Sequence, residues 1–289
     1  MKVRTNAGVS DSPLTEWNGR ILTITVVTAG AAICAVLWFA LTSTGIEAST
    51  ITPRASYPIG IVDSSQPSGQ APPGVHALAG YTRSYVNDFT GTSLPAGWAV
   101  FVGVPGGDPG GQFGAAHVTV GSGLLQLNTW KDPAYHNKWV TGGLSQFGIA
   151  RTYGAYFARS RLTGPGPNSV ELLWPAANVW PPEIDFNENG GSVAETSSTV
   201  HFGPRNLIDQ RKVNINMTQW HTWGVIWTPA SITYTVDGKV WGAITSASEI
   251  PHQPMTLDFE QRAMCSLGRE CPTAPVSMHV DWVAEYIPG

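Results

Sequence analysis

From about residue 87 onward, apolar and polar positions alternate with a period of two in short runs, each closed by Gly, Pro, Asn or Asp. HVTVGSGLLQLNTW reads as two strands meeting at Gly121, Ser122 and Gly123. The design returns in YGAYFARSRL, SVELLWP, EIDFNEN, TSSTVHFG, WHTWGVIWTP, SITYTVDGKVWGAI, PMTLDF and VSMHVDWVAEY. Runs so rich in β-branched and aromatic residues predict roughly ten or more strands and no long amphipathic helix. Asp237-Gly238 predicts a tight hairpin, because a primed turn needs positive φ at its central residues. The spacing predicts an all-β domain over residues 85–289, an antiparallel β-sandwich.

The opening of the chain has another pattern. Residues 21–41, ILTITVVTAGAAICAVLWFAL, carry no charge and no polar face. About 21 residues at about 1.5 Å each cover roughly 30 Å of hydrocarbon, which predicts one transmembrane helix. A secretory leader has a shorter apolar core and ends at a small-residue site that TSTGIEAS matches poorly, so an uncleaved signal-anchor is expected. Lys2, Arg4 and Arg20 precede the span while only Arg54 follows closely. That bias puts residues 1–20 in the cytoplasm and the rest outside, membrane-anchored, or secreted if the segment is cleaved. Residues 42–84 are dense in Pro, Ser and Gly and are expected to be a disordered linker.

Composition narrows the partners. With 12% charged residues and a formal net charge of -4, the chain has no basic footprint for phosphates, so nucleic acid is excluded and neutral polymers stay open. Cys265 and Cys271 could close a small loop in an oxidising compartment or stay as two thiols. Without a CxxC pair or His cluster no structural zinc site is expected, and neither a metal nor another cofactor is required.

The chemistry concentrates in WPPEIDFNENGG, where Glu183, Asp185 and Glu188 crowd a chain otherwise poor in charge. Side chains alternate along a strand, so Glu183 and Asp185 share a face while Glu188 falls on the other. A β-bulge near Phe186 and Asn187 would return Glu188 to the first face. Two Glu side chains converging from such a strand suit cleavage of a glycosidic bond with retention, which needs one carboxylate to attack and another, protonated, to donate. Glu183 is then the nucleophile, Asp185 its hydrogen-bond partner and Glu188 the acid/base, with crowding forcing a shared proton. A solvated acidic face and a calcium loop are the competing readings; calcium loops alternate Asp, Asn and Gly over a turn, not a strand.

At these residues the sequence resembles glycoside hydrolase family 16, the laminarinase-like β-glycan endo-hydrolases and transglycosylases. The likeness runs in order through DFTGTSLPAGW, TYGAYFARSRL, LLWP, EIDFNE, STVHFG, WHTWGVIWTP with YTVDGK, and HVDWVAEY. It implies a concanavalin-like jelly roll with a cleft across its concave face, retaining chemistry, and the three roles above on Glu183, Asp185 and Glu188. The longer, bulged motif is similar to that of members cutting β-1,3-glucans or galactans, which favours β-1,3-glucan. Ala155 and Phe157 depart from the pattern, standing where many relatives have Arg and Glu, while Arg159 and Arg161 are kept.

Sugar rings stack on aromatic faces, so a glycan cleft should carry exposed Trp with a few polar groups. Trp180 is the first candidate for substrate binding, with Trp139 in WVTGG a second; Trp220, Trp223 and Trp227 are expected in the interior or at its edge. The place of His201 in STVHFG suggests that it bonds substrate or positions a carboxylate, and Gln261 is a further candidate. The expected protein is a monomeric, anchored endo-β-glycosidase with a polysaccharide substrate. Its alternatives are a transglycosylase on cell-wall glycan and a lectin-like module on the same sandwich.

Overall fold

A computed structural model describes residues 57–289. The predicted cytoplasmic tail, the apolar span at 21–41 and the first part of the expected linker lie outside the described residues. Among the described residues no helix is long and apolar enough to cross a membrane.

The chain runs through β1 (Ile61–Val62), β2 (Gln70–Ala71), β3 (Tyr81–Asn87), β4 (Ala99–Val100), β5 (Val118–Gly121) and β6 (Leu124–Asp132). Next come β7 (Lys138–Val140), β8 (Gly143–Ser145), β9 (Gly154–Leu162), β10 (Asn168–Pro175), β11 (Glu183–Glu188) and β12 (Glu195–Phe202). It ends with β13 (Leu207–Asn214), β14 (His221–Trp227), β15 (Ile232–Val236), β16 (Lys239–Ile244), β17 (Met255–Arg262) and β18 (Val276–Pro288). The helical content of the described residues is four three-residue 3-10 turns.

Two antiparallel sheets form the sandwich. One has the order β13-β12-β11-β10-β17-β8-β4; the other runs β16-β15-β14-β9-β18-β6-β5, with β3 also on β18 and β7 also on β6. Alternation sets their faces: β6 buries Leu125 and Leu127 on one side. They meet Leu173, Ile184, Phe186, Trp223, Trp227 and Phe259 in the core between the sheets. Trp223 and Trp227 are therefore core residues, while Trp220, half-buried just before β14, lies beneath the Arg161 guanidinium, 5.1 Å from its ring. The hairpin from β15 to β16 turns through Asp237 and Gly238, both with positive φ (47° and 74°), the geometry a tight primed turn demands.

The expected linker is corrected from Tyr57 onward: residues 57–80 are folded onto the outer face of the nine-stranded sheet, and residues 81–84 enter that sheet in β3. Trp282 Nε1 donates to Gln70 O at 3.0 Å, Tyr286 Oη donates to Gly74 O at 2.8 Å, and Arg159 Nε donates to Ser68 Oγ at 2.6 Å. Beneath this strap lies a second apolar cluster of Leu78, Ala155, Phe157, Trp282, Ala284 and Tyr286, with Tyr57 and Tyr81 against it. Ala155 and Phe157 are thereby explained, since their face of β9 is covered and a charged side chain there would be desolvated. Cys265 and Cys271 are joined in a disulfide.

Candidate functional site

The outer face of the seven-stranded sheet forms the floor of a cleft of about 1010 Å³. β11 crosses it with an irregular register. Against β12 the pairs Asp185–Thr199 and Glu188–Ser197 leave one residue too many on β11. Against β10 the step from Asp185–Leu172 to Asn187–Glu171 does the same, so Phe186 is the inserted residue. Phe186 and Asn187 are both buried, Phe186 in the core between the sheets. Glu188 then emerges into the cleft with Glu183 and Asp185. The bulge falls where the sequence placed it, and it brings the three carboxyl groups to one face.

Each carboxyl is held differently. Glu183 Oε2 accepts from Trp180 Nε1 at 2.7 Å. Asp185 is 2% exposed, beside Glu183 and 3.4 Å from His201 Nε2, whose Nδ1 meets Asn206 Oδ1 at 2.8 Å. Glu188 accepts from Asn168 Nδ2 at 3.0 Å and from Thr199 Oγ1 at 3.3 Å. Burial, and then the charges of Glu183, Glu188 and Glu260, lift Asp185 well above the usual carboxylate range. Burial also raises Glu183, against the pull of His201 and of the Trp180 N–H. Two carboxyl groups so close cannot both ionise cheaply, so Asp185 keeps the proton and directs it toward Glu183.

Among the described residues, Glu183, Asp185 and His201 are the one group spaced to hold a metal ion, with ligand atoms within 4.8 Å of one another. A metal bound there would have to displace the proton that Asp185 keeps, because metal binding requires deprotonated donors.

Trp180, 43% exposed, and His201 line the cleft, their ring centroids 5.6 Å apart. Two other expected residues do not reach it. Trp139 sits on β7, which pairs with β6 in the opposite sheet; its ring lies under Lys131 Nζ at 5.5 Å in a groove sharing no lining residue with the cleft. Gln261 is fully buried and links the sheets, accepting from Thr129 Oγ1 and donating to Ser169 Oγ, both at 2.9 Å. Its neighbours on β17 face the cleft instead: Thr256, Asp258, Glu260 and Arg262, with Arg262 Nε 2.5 Å from Glu260 Oε1. The polar alternation of TLDFEQR was the available signal for this ladder. Val102, Val104 and Phe147 add exposed apolar surface along the cleft.

Burial pushes Glu171 and Asp258 up to about 8, and Glu285 up to about 7 against the pull of Arg151, 3.1 Å away. These folded-state values exceed those of the unfolded chain, about 4. Their contribution to stability is therefore complete below about pH 4 and is lost as pH rises through about 7 to 8. Tm should fall by several degrees between about pH 5 and pH 8, and Glu171→Gln should flatten that slope. A Tm rising across this window in scanning calorimetry would contradict the assignment.

Residues 144–283 match the family model of glycosyl hydrolases family 16. The endo-1,3-1,4-beta-glycanase ExsH of Rhizobium meliloti (strain 1021) is 30% identical over 156 residues, 51% of this chain and 33% of the relative. The chain thus spans about a third of the length of that curated relative. SCLam, a non-specific endo-beta-1,3(4)-glucanase, superposes with a TM-score of 0.65 at 19% identity over 73% of this chain and 92% of its own. The laminarinase from Rhodothermus marinus gives 0.64 at 20% identity over 71% and 97%. At those identities the structural likeness is one of fold.

Proposed function

Because residues 144–283 match the family model of glycosyl hydrolases family 16, we propose that this chain is a retaining endo-β-glycosidase hydrolysing β-glucans, with 1,3 linkages favoured. The observation that carries the reading is the convergence of Glu183, Asp185 and Glu188 on one cleft face through the bulge at Phe186. A lectin gains little from three crowded acids, whereas displacement at a sugar carbon needs two of them in opposite protonation states.

In the first step the Glu183 carboxylate attacks the anomeric carbon, the bond to the leaving oxygen breaks, and Glu188 gives that oxygen its proton. Asp185, protonated beside Glu183, stabilises the ionised nucleophile and fixes its orientation. In the second step Glu188 takes a proton from water, the water oxygen bonds to the anomeric carbon, and Glu183 departs as carboxylate. The indole N–H of Trp180 holds the Glu183 oxygen while its exposed ring offers a stacking face for a sugar.

The names of the relatives, an endo-1,3-1,4-beta-glycanase and an endo-beta-1,3(4)-glucanase, support the choice of glucan. The disulfide and the apolar stretch at 21–41 support an extracytoplasmic domain held by an amino-terminal anchor. Incubation with laminarin, lichenan, agarose and xyloglucan, followed by chromatography of the products, tests the reading. Internal cleavage of laminarin or lichenan is expected, and transfer products longer than the substrate would show transglycosylation. Cleavage of agarose alone would overturn the glucan assignment.

A further inference from the structure

Asn187 is an unusual residue to bury at the bulge. It is 2% exposed, on the inner side of β11 beside Phe186, where an amide without partners would be costly. Its partners come from both flanking strands. From β10, Glu171 Oε1 accepts from Asn187 Nδ2 at 3.1 Å; from β12, Thr196 Oγ1 donates to Asn187 Oδ1 at 2.7 Å. Glu171 is itself fully buried, and the same Oε1 accepts from the hydroxyl of Ser160 on β9 of the opposite sheet. One polar chain thus runs from the nine-stranded sheet through Glu171 and Asn187 to Thr196, separate from the Thr129–Gln261–Ser169 link between the same sheets.

We propose that Glu171 is a positioning residue for catalysis: by clamping Asn187 inward it fixes the bulge register that turns Glu188 into the cleft. The inference rests on the acid/base role proposed for Glu188. Nothing in this chain of contacts touches the cleft, and Glu171 is absent from its lining. If Asn187 lost its inward partners, the next favourable arrangement would swing its amide toward water, and Glu188, one residue on, would turn with the backbone. Glu183 lies on the regular side of the bulge, where the Ile184–Val200 and Asp185–Thr199 pairs are intact, so its position does not depend on the clamp. Burial pushes Glu171 up to about 8, so its carboxyl is mostly neutral at pH 7. Its Oε2, which makes no hydrogen bond, is the oxygen at which the proton can sit without disturbing either contact.

A displaced acid and a destabilised fold can be told apart by leaving group. A β-glucan needs proton donation to its leaving oxygen, whereas a 2,4-dinitrophenyl β-glycoside leaves unaided and tests the nucleophile alone. In the full-length chain, Glu171→Leu should lower kcat on laminarin on the order of 10²-fold, with KM and the dinitrophenol burst rate each within about threefold of wild type. Glu171→Gln, which keeps an acceptor for Asn187, should restore laminarin kcat to within about threefold. Equal losses on both substrates, or no loss on laminarin, would overturn the proposal. Should Glu171→Leu fail to fold, Thr196→Val decides in the same way: a loss confined to laminarin, on the order of tenfold, supports the clamp, and any other pattern refutes it. Glu188→Gln is the reference. If it shows the leaving-group selectivity while the clamp variants do not, only this inference fails. If it slows both substrates alike, the acid/base assignment falls, and the inference with it.

Discussion

Glu183→Gln and Glu188→Gln should each lower kcat on a β-glucan by at least about 10³-fold while leaving Tm within a few degrees of wild type. The two losses have different causes. At position 183 the amide cannot attack the sugar carbon, so the first step stops. At position 188 the amide neither donates nor takes a proton, so both steps slow, by the margin general acid–base catalysis ordinarily supplies. Asp185→Asn should cost less, roughly 10- to 100-fold, because Asp185 already acts as a neutral donor and an amide can still donate. Steady-state kinetics on purified protein, with circular dichroism to confirm folding, checks the order. Wild-type-like turnover in either Glu variant, or an Asp185→Asn protein worse than both, would contradict the roles assigned.

The second large effect concerns the strap. A chain beginning at Tyr57 should fold and work as the full chain does, whereas one beginning at Tyr81 should be insoluble or unfolded at 37 °C. Removing residues 57–80 uncovers Trp282 and Tyr286, now 0% and 1% exposed, and each such side chain contributes about 1.5–3 kcal/mol on burial. It also strips Arg159 of Ser68 and Asp281 of the Ser68 amide, leaving two charged groups at a newly wetted face without their designed partners. A loss of roughly 5 kcal/mol is comparable with the whole stability of an ordinary domain. Calorimetry or urea titration of the two chains measures it. Equal midpoints would return this segment to the status of a tether.

That segment shows where the sequence was opaque. Its composition, rich in Pro, Ser and Gly, is that of a linker, and few of its side chains enter the fold. What holds it is mostly its own backbone: the carbonyls of Gln70 and Gly74 accept from Trp282 and Tyr286, and composition carries no trace of such bonds. The signal was elsewhere, in the apolar Ala155 and Phe157 and in Trp282 and Tyr286 on strands whose other face is also buried. A strand apolar on both sides must be covered on both.

The site was more legible. Acids at positions 183, 185 and 188 cannot share one face of a regular strand, so a shared site required a bulge, and it lies at Phe186. Parity could also have disposed of Gln261: on β17 the cleft face belongs to Asp258, Glu260 and Arg262, so the intervening Gln261 points inward, where it links the sheets. Trp139 needed the pairing itself, since nothing local says that β7 joins β6 in the opposite sheet. Glu171 was out of reach for the same reason: its meaning comes from Asn187 across the ladder, not from its neighbours in the chain.

The central claim is that Glu183 attacks the sugar carbon while Glu188 manages the proton, both from one strand face. Proton NMR of laminarin digestion, recorded in the first minutes before mutarotation, tests it most directly. Two successive displacements leave the new reducing end as the β-anomer first, with the α-anomer growing in later. An α-anomer at the earliest time point would mean a single displacement by water, and the nucleophile assigned to Glu183 would be wrong.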